Sequence, residues 1–212
     1  MTGLAQQERH ALCDTLLKVG PDAPTLCSPW RARDLAAHLV IRDSRPDLAL
    51  GMFVPALKGR LDAAMTSYAS GAWPQLVDRV RSGPPRWSPT RLAPLDEAVN
   101  LAEFFIHHED VLRGAPGFTR RVLDAPLEAG IWKGLKSQST LMLRKATVGV
   151  VLVAPGFGRF TAKGPRGAGT AVVTGSPGEL SLFVAGRQRV ADVALEGPEA
   201  AVAAIAEEPL GT

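Results

Sequence analysis

The hydrophobic pattern of this chain changes near residue 145, and that change limits the folds it can adopt. Before it, apolar residues recur with the three- and four-residue spacing of amphipathic helices. From Thr147 onward, short β-branched runs alternate with glycine and proline. We therefore expect an α+β protein, with a helical domain over residues 1–145 and a small α+β domain over residues 146–212. At 212 residues the chain is long enough to bury a core without disulfides.

Turn and capping signals divide these two parts into elements. Helices are predicted over residues 3–19, from about 31, over 55–69 after an irregular loop, from Trp73 to the Gly83-Pro84-Pro85 stop, over 95–113 and over 124–145. Four or five such helices joined by short loops favour a bundle. In the second part, strands are predicted over 147–153, 159–163, 170–174 and 190–195, with helices starting at Ser176-Pro177-Gly178-Glu179 and at Gly197-Pro198-Glu199.

Composition and charge argue against several function classes. The formal charge is only +3 and the 24 Lys and Arg residues are spread along the chain, whereas a nucleic-acid surface needs a basic stripe. The longest apolar run, VGVVLV at 148–153, is too short to span a bilayer. We recognise no secretion signal at the start and expect a cytoplasmic protein whose two cysteines, Cys13 and Cys27, are free thiols.

The segment EFFIHHED, residues 103–110, carries five groups that can bind a metal or move a proton. On a helix, Glu103 and His107 project side by side and can hold one ion, and Asp110 falls on the same stripe. His108 points roughly 100° away from His107, which favours a buried structural imidazole. The alternative for Glu103 and His107 is an ordinary ion pair on the helix surface, because two ligands are too few for a catalytic zinc site.

A third ligand is available on another predicted helix. His38 lies in DLAAHLV at the edge of an apolar face, where a histidine is often structural. In a bundle, however, facing helices project ligands inward, so His38 can complete the pair of Glu103 and His107. His10 and Cys13, one turn apart, are a weaker zinc-binding alternative.

Cationic and aromatic side chains near these positions suggest how a ligand would be held. Arg31, Arg33 and Arg42 flank His38 and are candidate contacts for an anionic substrate, although solvated arginines are the simpler interpretation. The four tryptophans belong either to the core or to the wall of a pocket: Trp30, Trp73, Trp87 and Trp132. No P-loop, nucleophile elbow, HExxH motif or dinucleotide-binding glycine motif is present.

Three longer motifs, in this order and spacing, carry a family resemblance over nearly the whole chain. They are LCSPWRARDLAAHL (26–39), EFFIHHEDVLRG (103–114) and TGSPGELSLFVAGR followed by VALEG (174–197). They resemble the mycothiol-dependent maleylpyruvate isomerase family of the DinB-like superfamily, and more closely an actinobacterial branch of uncharacterised metal-binding proteins within it. The resemblance implies a DinB-like four-helix bundle followed by a sterol-carrier-like domain. It also implies a divalent metal, usually zinc, on His38, Glu103 and His107.

The HHED continuation is typical of the branch rather than of the isomerase, so the substrate does not follow from the resemblance. Our hypothesis is a metal site at which a low-molecular-weight thiol, such as mycothiol, binds as thiolate and attacks an electrophilic substrate in an isomerisation or a transfer. Asp110, or else His108, would orient His107. The alternatives are a metal- or ligand-binding protein without turnover and a metal-dependent hydrolase.

Overall fold

The computed structural model describes residues 3–49, 51, 54–85, 88 and 92–211, and it combines helices with one sheet, as expected for an α+β protein. The chain divides into two compact units, residues 1–120 and 121–212. No helix in the described ranges has both the length and the apolar character needed to cross a membrane.

The first unit is helical. Its elements are α1 (Leu4–Val19), α2 (Ala32–Ser44), α3 (Pro46–Ala49), a 3-10 turn (Pro55–Leu57), α4 (Lys58–Ala69), α5 (Trp73–Ser82) and α6 (Ala93–Leu112). Apart from α3, which lies in a stretch expected to be an irregular loop, the helices confirm the predicted ones, and their ends agree to within two residues except at the start of α4, three residues later than predicted. Gly20 and Gly83, with φ of +83° and +68°, end α1 and α5 in a backbone conformation that side chains with a Cβ rarely adopt.

One hydrophobic core joins four of these helices. Its buried residues come from α1 (Leu12, Cys13, Leu16), α2 (Ala32, Leu35, Ala36, Leu39, Val40), α5 (Leu76, Val77, Val80) and α6 (Phe104, Val111). Each helix contributes residues three, four or seven positions apart, so one apolar stripe of each faces the others. Because α2 and α6 share this core, the polar residues at its edge come close together although they are far apart in sequence.

The second unit contains a helix, a four-stranded sheet and two further helices. Its elements are α7 (Ala125–Met142), β1 (Gly149–Ala154), β2 (Gly158–Lys163), β3 (Thr170–Thr174), α8 (Pro177–Val184), β4 (Ala194–Glu196) and α9 (Glu199–Glu207). The strand order is β2-β1-β3-β4, with β1 antiparallel to β2, parallel to β3, and β3 antiparallel to β4. Ser176 caps α8 by accepting a hydrogen bond from the Glu179 N–H, as its sequence predicts.

The structure differs most from the sequence-based expectation in two places. The boundary between the units falls at 120/121 and not at 145/146, because α7 packs with the second unit. The Glu128 carboxylate accepts a hydrogen bond from the Gly178 N–H, and Trp132 packs edge-on against Phe160 at a centroid distance of 5.1 Å.

The second difference concerns the last strand. Residues 190–195 were expected to form it, but β4 spans only Ala194–Glu196. The N–H groups of Val190 and Ala191 donate to the Arg187 carbonyl in a turn, and the Asp192 N–H donates to the Glu179 carboxylate. These bonds replace ladder hydrogen bonds, so the β-branched pattern of this segment overestimates the strand.

Candidate metal centre

Three side chains from α2 and α6 converge on one point in the first unit. Oε1 of Glu103 lies 3.3 Å from Nε2 of His38 and 3.2 Å from Nε2 of His107. The three donor atoms all lie within 4.8 Å of one another. Two imidazole nitrogens and one carboxylate oxygen form the donor set of many catalytic zinc sites, which use three protein ligands and leave a fourth position open.

Local structure explains how the three side chains meet. Glu103 and His107 are one turn apart on α6, so they project in nearly the same direction. His38 lies on α2 between the core residues Leu35 and Leu39, which pack in the same cluster as Phe104 of α6. Because the apolar stripes of α2 and α6 pack together, His38 and Glu103, which lie beside those stripes, face each other at the edge of the core.

The distances and the exposure both fit a bound divalent ion. Ligand atoms held about 2.0 Å from a tetrahedral zinc ion lie roughly 3.3 Å apart, which matches both contacts of the Glu103 oxygen. The side chain of Glu103 is 26% exposed and those of His38 and His107 are 13% and 11% exposed. The donors are therefore partly desolvated but still reachable by a small molecule.

The electrostatics of the group favour an ionised Glu103 and a protonated His107 when no metal is bound. Burial lowers the pKa of His107, but hydrogen bonds with Asp110, Cys27 and Glu103 outweigh it and hold that pKa well above its ordinary value. Burial raises the pKa of Glu103, but its hydrogen bonds with His107 and His38 hold it well below the usual range. The pKa of His38 is lowered by burial, so its ring stays neutral and can ligate a metal near neutral pH.

A second group of potential ligands lies on the other side of the His107 ring. Oδ2 of Asp110 lies 2.9 Å from Nδ1 of His107 and 3.0 Å from Sγ of Cys27, and Sγ lies 3.9 Å from Nδ1. Asp110 is fully buried. It has the position expected of a carboxylate that orients a metal-binding histidine through the nitrogen that does not ligate.

Of the three arginines considered as anion contacts, Arg42 alone is in contact with a candidate ligand in the described structure. Its Nε lies 3.2 Å from the Glu103 carboxylate, and its terminal nitrogens donate to the side chain of Asn100 and the backbone carbonyl of Val99. Arg33 pairs with the exposed Asp22, 3.0 Å away. Arg31 is exposed at the start of α2, where its N–H donates to the Asp34 carboxylate.

His108 takes part in a different contact. Its Nδ1 lies 2.8 Å from the Glu8 carboxylate and its Nε2 lies 2.8 Å from the Thr15 hydroxyl, so both nitrogens have partners on α1. The structure therefore places His108 in the buried contact between α1 and α6, and Asp110 is the residue bonded to His107. Glu109 is also buried and pairs with Arg113 at 2.6 Å.

One residue near the site had no functional interpretation of its own in the sequence. Cys27 was expected only to be a free thiol, and the sequence contains no spacing that links it to α6, 83 positions away. Trp30 packs against His38 with ring centroids 5.2 Å apart, so of the two interpretations it fits the pocket wall. Trp132 is buried in the second unit and Trp73 packs against the core, while Trp87 lies outside the described residues.

The alternative zinc pair of His10 and Cys13 does not form part of a larger donor group. The groups of three or more candidate ligands in the described part of the chain are the two given above. Cys13 is fully buried, its thiol contacts the Val77 carbonyl, and burial raises its pKa to about 12. This thiol therefore stays protonated within the core.

Comparison with known proteins identifies the fold. No family profile matches the chain, and no curated protein does. Two solved structures match at 17% identity, each covering 92% of this chain and 91% of its own: the mycothiol-dependent maleylpyruvate isomerase, with a TM-score of 0.61, and a histidine-to-alanine mutant of it, with a TM-score of 0.62. The chain thus has the fold of that enzyme.

Proposed function

We propose that this chain is a divalent-metal-binding protein in which His38, Glu103 and His107 hold the ion, and that the ion is zinc. The observation that carries the proposal is the convergence of Nε2 of His38, Oε1 of Glu103 and Nε2 of His107 on one point. An ion pair on a helix surface, the simpler alternative, would not require a third donor from a second helix. Two largely desolvated imidazole nitrogens and one carboxylate oxygen that converge from two helices supply the three protein ligands that a catalytic zinc site uses.

We further propose that the site uses a low-molecular-weight thiol, of which mycothiol is the first candidate, to isomerise or modify an electrophilic substrate. A divalent ion held by these three side chains would lower the pKa of a bound thiol and so supply a thiolate nucleophile at neutral pH. The fold shared with a mycothiol-dependent isomerase supports this choice of co-substrate. A reducing cytoplasm, where we expect the protein to act, keeps such thiols available.

The surrounding residues have roles that fit this chemistry. Asp110 accepts the Nδ1–H of His107 and thereby directs Nε2 of the ring toward Glu103. The positive charge of Arg42 beside Glu103 favours the binding of an anion such as a thiolate. Asp110 lies on the Nδ1 side of His107, away from the proposed ligating nitrogens, which supports an orienting role over that of the base in a hydrolase.

We also propose that the two units have the folds that the family resemblance implies. The four helices α1, α2, α5 and α6, which share one core, would form the DinB-like bundle of the first unit. The sheet and helices of the second unit would form the sterol-carrier-like domain, with α7 included in it because of its contacts there.

The enzymatic part is tested by incubating zinc-loaded protein with mycothiol and a panel of electrophiles that includes maleylpyruvate. Substrate loss that requires mycothiol and disappears in His38→Ala supports the proposal. Recovery of the thiol at the end indicates isomerisation, whereas a mass increase on the product indicates transfer. Thiol-independent turnover would favour a hydrolase, and no turnover with metal bound would favour a binding protein. A matched control is His10→Ala, which removes a histidine from α1 and should react like the wild type.

A further inference from the structure

We infer that Cys27 is a positioning residue for this site: its thiol holds the Asp110 carboxylate, which in turn orients the His107 ring. The inference rests on the metal site of the proposed function. It assigns a role to a cysteine that the thiol chemistry described above does not use. It also makes the loop before α2 part of the site.

Two neighbouring side chains hold Asp110 in place. Its Oδ2 atom is in contact with two donors at once, Sγ of Cys27 at 3.0 Å and Nδ1 of His107 at 2.9 Å. The Asp110 side chain is fully buried, where hydrogen bonds to a charged oxygen are strong and a missing one is costly. If the Cys27 thiol is removed, the Asp110 carboxylate is held less firmly, and it then orients the His107 ring less well.

The distances around Asp110 distinguish a donor thiol from a second metal site. Ligands of one tetrahedral zinc ion lie roughly 3.3 Å apart for two nitrogen or oxygen atoms and roughly 3.5 Å apart for a sulfur and an oxygen. The separations at Asp110, 2.9 Å and 3.0 Å, are both shorter than that: the first is an ordinary N–H···O length, and the second brings the thiol within hydrogen-bonding distance of the carboxylate. The Cys27 thiol thus acts as a donor to Asp110 and not as a metal ligand.

Backbone hydrogen bonds leave the Cys27 thiol little freedom. The Leu26 N–H donates to the Asp110 carbonyl at 3.0 Å, which ties the loop to α6 directly beside the thiol contact. The Cys27 N–H donates to the Thr25 hydroxyl, and that hydroxyl donates to the carbonyl of Trp30. The ring of Trp30 packs against the other proposed histidine ligand, so one short loop positions both histidines.

Three variants of the full chain test the role of Cys27. Cys27→Ala removes the donor, Cys27→Ser keeps a hydroxyl donor, and Cys13→Ala removes the other cysteine, whose thiol contacts Val77 in the core. Co²⁺ replaces zinc as the probe, because its visible absorption reports the geometry of its ligands. For each variant, the dissociation constant and the visible spectrum of bound Co²⁺ are measured, together with the urea midpoint of the metal-free protein.

We expect Cys27→Ala to bind Co²⁺ about tenfold more weakly with a changed visible spectrum, the size of effect found when partners of metal-binding histidines are removed. Cys27→Ser should restore most of the Co²⁺ affinity and a spectrum close to that of the wild type. Cys13→Ala should lower the urea midpoint while leaving the Co²⁺ constant and spectrum unchanged. If Cys27→Ala has the Co²⁺ affinity and spectrum of the wild type, the role of Cys27 is overturned while the proposed metal site stands. A wild-type protein that binds no Co²⁺ would overturn the proposed metal site and the inference with it.

Discussion

Nε2 of His38 lies 3.3 Å from Oε1 of Glu103, although the two residues are 65 positions apart in the chain. This contact joins α2 to α6 at the edge of the core that both helices share. The ligand pair on α6 can form within one helix, but the third donor depends on the packing of the helical unit. Metal binding and folding of this unit should therefore be coupled.

The first prediction concerns Asp110. Asp110→Asn removes the negative charge that faces Nδ1 of His107, so the ring loses its strongest orienting partner. We expect the affinity for Zn²⁺ to fall by roughly 10- to 100-fold, measured by competition with a chromophoric chelator. Asp22→Asn, an exposed aspartate that pairs with Arg33, is the matched control and should leave the affinity unchanged. Equal affinities in the two variants would exclude an orienting role for Asp110.

The second prediction concerns pH. The pKa of His107 is raised well above 6.5, so near neutrality a metal must displace a proton from this ring. The pKa of His38 is lowered, so its ring releases no proton there. Apparent Zn²⁺ affinity should thus rise with pH above 6.5, by about tenfold per pH unit for one displaced proton, until the raised pKa is passed.

The stability of the metal-free protein should follow the opposite trend over the same range. A folded-state pKa above the unfolded value stabilises the fold fully below the unfolded pKa, and that contribution disappears as the pH rises through the folded pKa. The His107 contribution should therefore decrease as metal affinity increases. Urea denaturation of the metal-free protein measures its stability, and chelator competition in the same buffers measures the Zn²⁺ affinity. A Zn²⁺ affinity that does not vary across neutral pH would contradict this account of His107.

The third prediction separates Arg42 from Arg33. Arg42→Gln removes a positive charge next to Glu103, so Zn²⁺ should bind at least as tightly. A thiolate should bind about tenfold more weakly, since one charge a few ångströms away contributes on the order of 1 kcal/mol in a partly hydrated site. Arg33→Gln, which breaks an exposed ion pair, should change neither. Thiol titrations of the Co²⁺ protein, followed by absorption, measure the difference, and thiol affinities that are the same in both variants would refute the role of Arg42.

The fourth prediction is that His108 stabilises the fold without taking part in metal binding. His108→Ala leaves the buried Glu8 carboxylate without its 2.8 Å partner. We expect the free energy of unfolding to fall by about 2–4 kcal/mol, while the protein still binds Zn²⁺ stoichiometrically at a temperature where it is folded. Urea denaturation and elemental analysis test the two parts. Loss of metal from a variant that remains folded would show that His108 supports the site.

Local sequence patterns predicted the helices and strands well where the signals that determine them lie within a few residues. The α1 and β3 segments were predicted almost to the residue, because helical spacing, glycine stops and β-branched runs act within a few positions. The β4 segment was overestimated because the Glu179 carboxylate, 13 positions away, binds the Asp192 N–H. Such a contact is not visible in a local pattern.

The site shows the same division between local and long-range information. Spacing alone pairs Glu103 with His107, because both lie on one helix turn. The bundle argument made His38 a possible third ligand and the family resemblance strengthened that choice, but its place beside Glu103 depends on the packing of two helices. Cys27 carries no sequence signal for its contact with Asp110, since the loop before α2 and the end of α6 meet only in the folded chain.

The most direct test of the central claim is the metal content of the purified protein. Wild type, His38→Ala and His10→Ala are produced in zinc-supplemented medium, purified without chelators and analysed for metals, with circular dichroism as the check that each is folded. Stoichiometric divalent metal should be present in the wild type and in His10→Ala and absent from folded His38→Ala. A wild type without metal, or His38→Ala with as much metal as the wild type, would contradict a site built from His38, Glu103 and His107.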